Sequence, residues 1–350
     1  MPGSAATHPD YAATGVDLRI TPPAGDGFYF PAEWQFHERT LMQFLPDNPW
    51  YRSYLLDARD EWAMVANLIA EFEPVTMAVN RQDVEAARKL LNSSIELFEC
   101  PMDDGWCRDS GPMILVNGTK ERRVSGFTFN GWGTKHPPHD SDALVKARLA
   151  KHFSMALHPA DMVCEGGAVH VDGEGTAITT EECLLHVNRN PDQSKAELEA
   201  ILKGWLGVEK VIWLPKGLVP DPITDGHVDG LAAFAAPGVV LLHTTDDNND
   251  PNKEITARAK QVLACTPDAK GRKLEVVEIP LTSFDVVHMN FYICNGGVIV
   301  PVAGNTREDD VPLGILKDVF PNHKVVPVAG RYIAKGGGGV HCITQQMPRV

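Results

Sequence analysis

The constraint that most limits how this chain can fold is a repeat. Asp109, Glu165, His227, Asn290 and Cys342 recur at intervals of roughly 50–65 residues, the spacing of a repeated supersecondary unit. Each stands beside a short apolar run that reads as the first strand of a hairpin. The third unit is the clearest. A strand over 168–171 meets a D-G-E-G turn, a return strand follows over 176–180, then a helix over 194–206 and a strand over 210–214. Ser194 is the expected helix cap, with Glu197 three residues on. The same order is expected over 231–279 and 290–328. In the second unit, strands over 113–117 and 124–129 lead into a helix over 141–158. The first unit carries a strand over 40–45, helices over 57–72 and 82–91, and strands over 75–79 and 95–100.

Alternating helices and strands usually mean a doubly wound parallel sheet, but repeated hairpins argue against it. The expected fold class is α/β: a five-bladed pseudosymmetric α/β propeller of ββαβ units. The N-terminal strand would pair with the C-terminal unit to close the ring. Residues 1–26 read as a loose lead-in and 27–350 as one catalytic domain. In such a ring the recurring residues converge on the axis.

What converges is a reactive set. Four glycines at 336–339 precede Val340, His341 and Cys342. Glycines let another group come very close, and a thiol beside an imidazole suggests a nucleophile. An ordinary buried thiol is the competing reading for Cys342. Cys107 and Cys164 are rival thiols, but neither lies in a glycine run next to a histidine. Asp109, Glu165 and Asp229 offer carboxylates, which match the parallel N–H donors of a planar guanidinium. Trp106 can stack on such a cation. His227 can move protons. Taken singly, Asp109 could be a turn cap beside Arg108, Glu165 a surface turn residue, and Trp106 core. His227 and Asp229, two apart, would share one face of a strand.

Composition excludes other classes. The net charge of −14 argues against nucleic acid and suits a small cationic substrate. Seven dispersed cysteines without a C-x-x-C pair fit a reducing compartment, so a cytoplasmic protein is expected. No secretory signal and no membrane span are read from the sequence. Phosphate-loop, dinucleotide, EF-hand and H-E-x-x-H patterns are missing, so neither cofactor nor catalytic metal is expected. The Asp/Asn-rich stretch over 246–250 reads as a solvated turn. A homodimer is expected on general frequency alone.

Several segments together resemble one family. They are D-D-G-W-C-R-D-S-G-P at 103–112, E-G-G-A-V-H-V-D-G-E-G-T at 165–176, T-T-E-E-C-L-L at 179–185, N-R-N-P at 188–191, T-D-G-H-V-D at 224–229, N-F-Y-I-C-N-G-G-V-I-V-P at 290–301 and G-G-G-V-H-C-I-T-Q-Q at 337–346. This order is similar to that of the agmatine deiminases, in the bacterial-type peptidylarginine deiminase family of guanidine-modifying penteins. The resemblance runs from about Phe28 to the C-terminus. It implies a five-bladed propeller and a metal-free thiol mechanism. It further implies Cys342 as nucleophile, His227 as acid/base, Asp109 and Asp229 as guanidinium-binding carboxylates with Glu165 as a further partner, and Trp106 near the substrate. The implied reaction is hydrolysis of agmatine to N-carbamoylputrescine and ammonia. Another guanidine (free, methylated or peptidyl arginine) and a non-catalytic guanidine-binding protein are the alternatives. The chain departs from the family pattern at Leu41, at Gly339, where asparagine is typical, and at His288. These departures are expected to alter contacts with the substrate tail.

Overall fold

A computed structural model describes residues 9–350 except Phe284. Five sheets, one per unit, make up an α/β propeller. In the second unit β4 (Met113–Val116) runs antiparallel to β5 (Arg122–Thr128), which runs parallel to β6 (Ala156–Val163). The third repeats this with β7 (Val169–Val171), β8 (Thr176–Thr180) and β9 (Lys210–Leu214). The fourth uses β10 (Ala232–Ala236), β11 (Val239–Thr244) and β12 (Glu275–Pro280). The fifth uses β13 (Tyr292–Cys294), β14 (Gly297–Val302) and β15 (Lys324–Ala329).

The local reasons are those of hairpins and crossovers. A two-strand turn needs positive φ, which Gly238 (φ 78°) and Gly296 (φ 79°) supply. The parallel third strand needs a crossover, and a helix provides it. Helix Lys195–Leu206 shows how the sequence sets its bounds. Ser194 and Glu197 form a capping box, and Gly207 ends the helix in the left-handed region. Leu198, Leu202 and Leu206, on one stripe, are fully buried.

The first unit closes the ring as expected. β1 (His37–Gln43) pairs antiparallel with the final strand β16 (Thr344–Pro348), Leu41 opposite Gln345. On its other edge β1 carries β2 (Val75–Val79) and β3 (Glu96–Glu99), both parallel. Thr344, Gln345 and Gln346 are buried there, an uncommon place for polar side chains. Gln346 is used: its Oε1 accepts from Arg108 Nη1 at 2.7 Å.

One expected element is corrected. The helix read over 141–158 is a 3-10 turn, Asp142–Leu144, followed by an α-helix that ends at His152. Ser154, at φ 55°, stops it, and Ala156 begins β6. The helical spacing of the apolar residues ran on into a strand whose parallel partner, β5, is remote in sequence. Of the expected lead-in, residues 1–8 lie outside the described residues. From Pro9 the chain is pinned: Tyr11 is buried with its hydroxyl donating to the Phe127 carbonyl, and Leu18 bridges Leu157.

Removing residues 344–350 takes away β16 and leaves Arg108 without Gln346. That truncation is expected to lower the melting temperature by about 10 °C or more, read by circular dichroism. A melt within a few degrees of the full chain would show that closure by β16 does not hold the ring.

Candidate active site

In the second, third and fourth units the site residues sit in, or just before, a short helical turn that leads into the first strand of the unit. Trp106 precedes the turn Cys107–Ser110, which carries Asp109 into β4. Glu165 precedes the turn Gly166–Ala168 before β7, and His227 precedes the turn Val228–Gly230, which carries Asp229. His227 and Asp229 are therefore presented by a 3-10 turn, not by the strand expected for them. They still meet, because a turn before each inner strand points its side chains at the axis.

Gly167 marks the meeting point. A Cβ there would lie 2.6 Å from His227 Nδ1, 2.9 Å from Asp229 Oδ2 and 3.1 Å from Asp109 Oδ1. Three units thus converge on a spot that only a glycine leaves open. Asp109 is held by the Trp132 indole N–H (2.8 Å to Oδ2) and the Gly167 N–H (3.0 Å to Oδ1). Glu165 Oε1 accepts from Arg189 Nε at 2.7 Å, while its Oε2 has no hydrogen-bond partner among the described residues. His227 lies 3.8 Å from Glu165 Oε2 and 4.0 Å from Asp109 Oδ1, and both its ring nitrogens are buried without a hydrogen bond among the described residues. Buried polar atoms left open at one spot mark where a ligand's own groups fit.

Cys342 completes the set. Its Sγ is 3.3 Å from Asn290 Oδ1 and 3.6 Å from Asp229 Oδ2, and its backbone N–H donates to Asn290 Oδ1 at 3.2 Å. The thiol lines a cavity of about 360 Å³ together with His227, Asp229, Asn290, Ile223 and Gly337. It also lines a smaller cleft with Trp106, Asp109 and Trp132. Cys107 and Cys164, the rival thiols, line neither cavity and are fully buried. Trp106 packs edge-on against the glycine run, where a Cβ on Gly338 would come within 2.5 Å of it. Its N–H donates to the Tyr51 hydroxyl at 3.0 Å.

The charges are tuned by this crowding. Burial pushes the Cys342 thiol well above its ordinary range, and Asp229 and Asp109 add to the shift. Burial disfavours a charged His227, yet Asp109, Cys183 and Glu165 outweigh it and hold the ring well above the ordinary imidazole range. Burial opposes ionisation of Glu165 too, but Arg189 and His227 pull it down to about 2. Asp109 is raised, by burial first and by Asp229 and Glu165 after it, against the pull of His227.

Sequence reasoning missed the residues that hold the set in place. Trp132 carried no signal of its own. Arg189 lies in the N-R-N-P motif and Asn290 opens another quoted segment, but no role was read from either. The departures also resolve. Leu41 is fully buried in β1, and His288 is buried with its Nε2 at 2.8 Å from Asp309 Oδ1. Neither lines the cavities, so the expectation that they alter the substrate tail's contacts is corrected. Gly339 does matter: a Cβ there would fall 2.5 Å from Asn290 Oδ1, so the glycine leaves room for Asn290 to reach Cys342.

Comparison with known proteins agrees with this geometry. The family model described as Porphyromonas-type peptidyl-arginine deiminase matches residues 29–348. The agmatine deiminase of Ectopseudomonas mendocina is 41% identical, over 94% of this chain and 97% of its own. That of Stutzerimonas stutzeri is also 41% identical, over 93% and 97%. Among solved structures, the agmatine deiminase of Enterococcus faecalis superposes with a TM-score of 0.92 at 34% identity, covering 95% of this chain and 99% of that one. The chain belongs to the Porphyromonas-type peptidyl-arginine deiminase family.

Gly167→Ala is expected to cut kcat/KM by about 100-fold or more, because an added methyl displaces three converging groups at once. Near-normal turnover in that variant would mean that the convergence is not the reacting centre.

Proposed function

We propose that Cys342 and His227 carry out covalent hydrolysis of a guanidinium gripped by Asp109, Asp229 and Glu165. The chain is a hydrolase of the agmatine deiminase type, acting on a guanidine C–N bond. Its reaction is agmatine and water to N-carbamoylputrescine and ammonia. The observation that carries the reading is one cavity in which a buried thiol, the His227 imidazole and the carboxylate of Asp229 meet, with Asp109 converging on the last two at Gly167 and Glu165 standing 3.8 Å from the His227 ring.

The steps follow from the electrostatics. The free site holds Cys342 as a thiol, since two carboxylates and burial oppose the thiolate. A guanidinium entering between Asp109 and Asp229 offsets those charges, so that Cys342 can ionise with its proton passing to solvent. Sγ then attacks the guanidinium carbon. His227, charged at neutral pH, gives its proton to the departing nitrogen, which leaves as ammonia. An S-alkylthiouronium remains on Cys342. His227, now neutral, takes a proton from water as the water adds to the same carbon. Collapse breaks the C–S bond, restores the sulfur and releases the ureido product. Trp106 walls the cleft beside the thiol, where it can face the planar cation.

The wider reading takes residues 27–350 as one catalytic unit. It places that unit in the cytoplasm as a homodimer, resting on the cysteine usage and on the general frequency of such assemblies. No helix among the described residues is long and apolar enough to cross a membrane.

Ammonia release is expected from agmatine and is to be lost in Cys342→Ala. Turnover retained by that variant would exclude the covalent route. The raised thiol sets a further expectation. Alkylation of the free protein by neutral iodoacetamide should be slow at pH 7 and keep accelerating through pH 9, because the thiolate fraction grows only near the elevated pKa. A rate already level at neutral pH would contradict this charge balance.

A further inference from the structure

His341 stands beside the nucleophile but turns away from it. Its Nδ1 is 2.8 Å from Asp229 Oδ2 and its Nε2 is 2.9 Å from Glu33 Oε2. An ionised carboxylate can only accept, so a ring bonded to two of them must donate from both nitrogens. Glu33 is held ionised by its other partners: Arg108 Nη2 donates to Oε2 at 3.1 Å and the Ile293 N–H to Oε1 at 2.8 Å. His341 is therefore an imidazolium. The result is a buried row of alternating charge, Arg108, Glu33, His341, Asp229, whose last carboxylate oxygen lies 3.6 Å from Cys342 Sγ.

The row is tied to the nucleophile at its far end as well. The Arg108 N–H donates to the Cys342 carbonyl at 3.0 Å and its Nε to the His341 carbonyl at 3.3 Å. The same arginine precedes Asp109, a guanidinium-binding candidate. Its four members come from the segment before β1, the turns of the second and fourth units, and the segment before β16. All are buried, and a second cleft lined by Glu33, Arg108, His170 and His341 lies on this row and lacks Cys342.

We propose that His341 is a positioning residue for guanidinium deimination: its imidazolium, braced by Glu33 and Arg108, fixes the Asp229 carboxylate between the Cys342 thiol and the incoming cation. The proposal rests on the deiminase reading. Among the described residues His341 is the only side-chain donor to Asp229 besides the thiol, so without it the carboxylate is free to turn from the substrate. The groups facing His341 are Asp229, Glu33, Arg108 and the stacked ring of His170, 6.0 Å away. Burial holds His170 neutral, down at about 4, so it does not compete for the proton. Burial and Arg108 work against the charge on His341, and Glu33 and Asp229 prevail.

The test uses two alkylating probes of Cys342 on the full chain. One is cationic, 2-chloroacetamidine; the other is neutral, iodoacetamide. His341→Asn is expected to slow the cationic probe about tenfold, leaving the neutral probe unchanged or faster, because what is lost is a positioned anion rather than thiol access. Equal slowing of both probes, or no slowing of the cationic one, overturns the proposal. Glu33→Gln supplies a second, milder variant. With one carboxylate gone, the imidazolium gives up its proton at lower pH, so the alkaline limb of kcat/KM for agmatine should move down by about one pH unit. An unmoved limb counts against the row. Failure of the deiminase reading looks different: the unmutated chain would then release no ammonia from agmatine and show no preference for the cationic probe.

Discussion

The centre of this protein buries charge, and everything around it is arranged to make that tolerable. Glu33, Arg108, Asp109, Glu165, Arg189, His227, Asp229 and His341 are all nearly inaccessible. Each unpaired ion there would cost several kcal/mol, so charges in such a place come in bonded pairs. Arg189 answers Glu165, and Arg108 answers Glu33, which with Asp229 answers His341. Arg189 and Glu165 both belong to the third unit, but Arg108–Glu33 and Asp229–His341 join the second and fourth units to the segments before β1 and β16. Those pairs therefore require the ring to be assembled, and the strand pairing of β1 with β16 is what completes the assembly.

Against that background, the atoms left without partners are informative. Among the described residues, Glu165 Oε2 and both nitrogens of His227 are buried without a hydrogen-bond partner. His227 stands at the point marked by Gly167 and lines the cavity of Cys342, and Glu165 Oε2 lies 3.8 Å from its Nε2. A planar cation with several N–H donors would satisfy the carboxylates and lower the barrier to forming the thiolate. On the proposed mechanism, the same carboxylates that push the free thiol up make its activation depend on substrate, which would guard the cysteine against other electrophiles.

Much of this was legible in the chain. The hairpin turns with their glycines, the capping box at Ser194 and Glu197, and the regular return of acid, base and thiol all follow from local chemistry. The expectation failed where a contact was remote. Residues 153–158 continued a helical pattern, yet 156–158 belong to a strand because β5 lies alongside to accept them. His227 and Asp229 looked like strand neighbours and are set by a 3-10 turn. Leu41 and His288 looked like altered substrate contacts and are packed into the scaffold.

Residue types and their period were enough to determine a five-fold repeat, a thiol, an imidazole and a set of carboxylates suited to guanidinium. Such features are local, carried by turns, caps and side-chain chemistry within each unit. Only the tertiary structure decided which groups are paired and which stay open. Trp132 on Asp109 and Arg189 on Glu165 are contacts between remote segments of one unit, while Asn290 on Cys342 through the space left by Gly339 and His341 between Glu33 and Asp229 are contacts across units. Nothing in the spacing along one chain specifies them, because pairing in a buried centre depends on distances that exist only once the ring has closed.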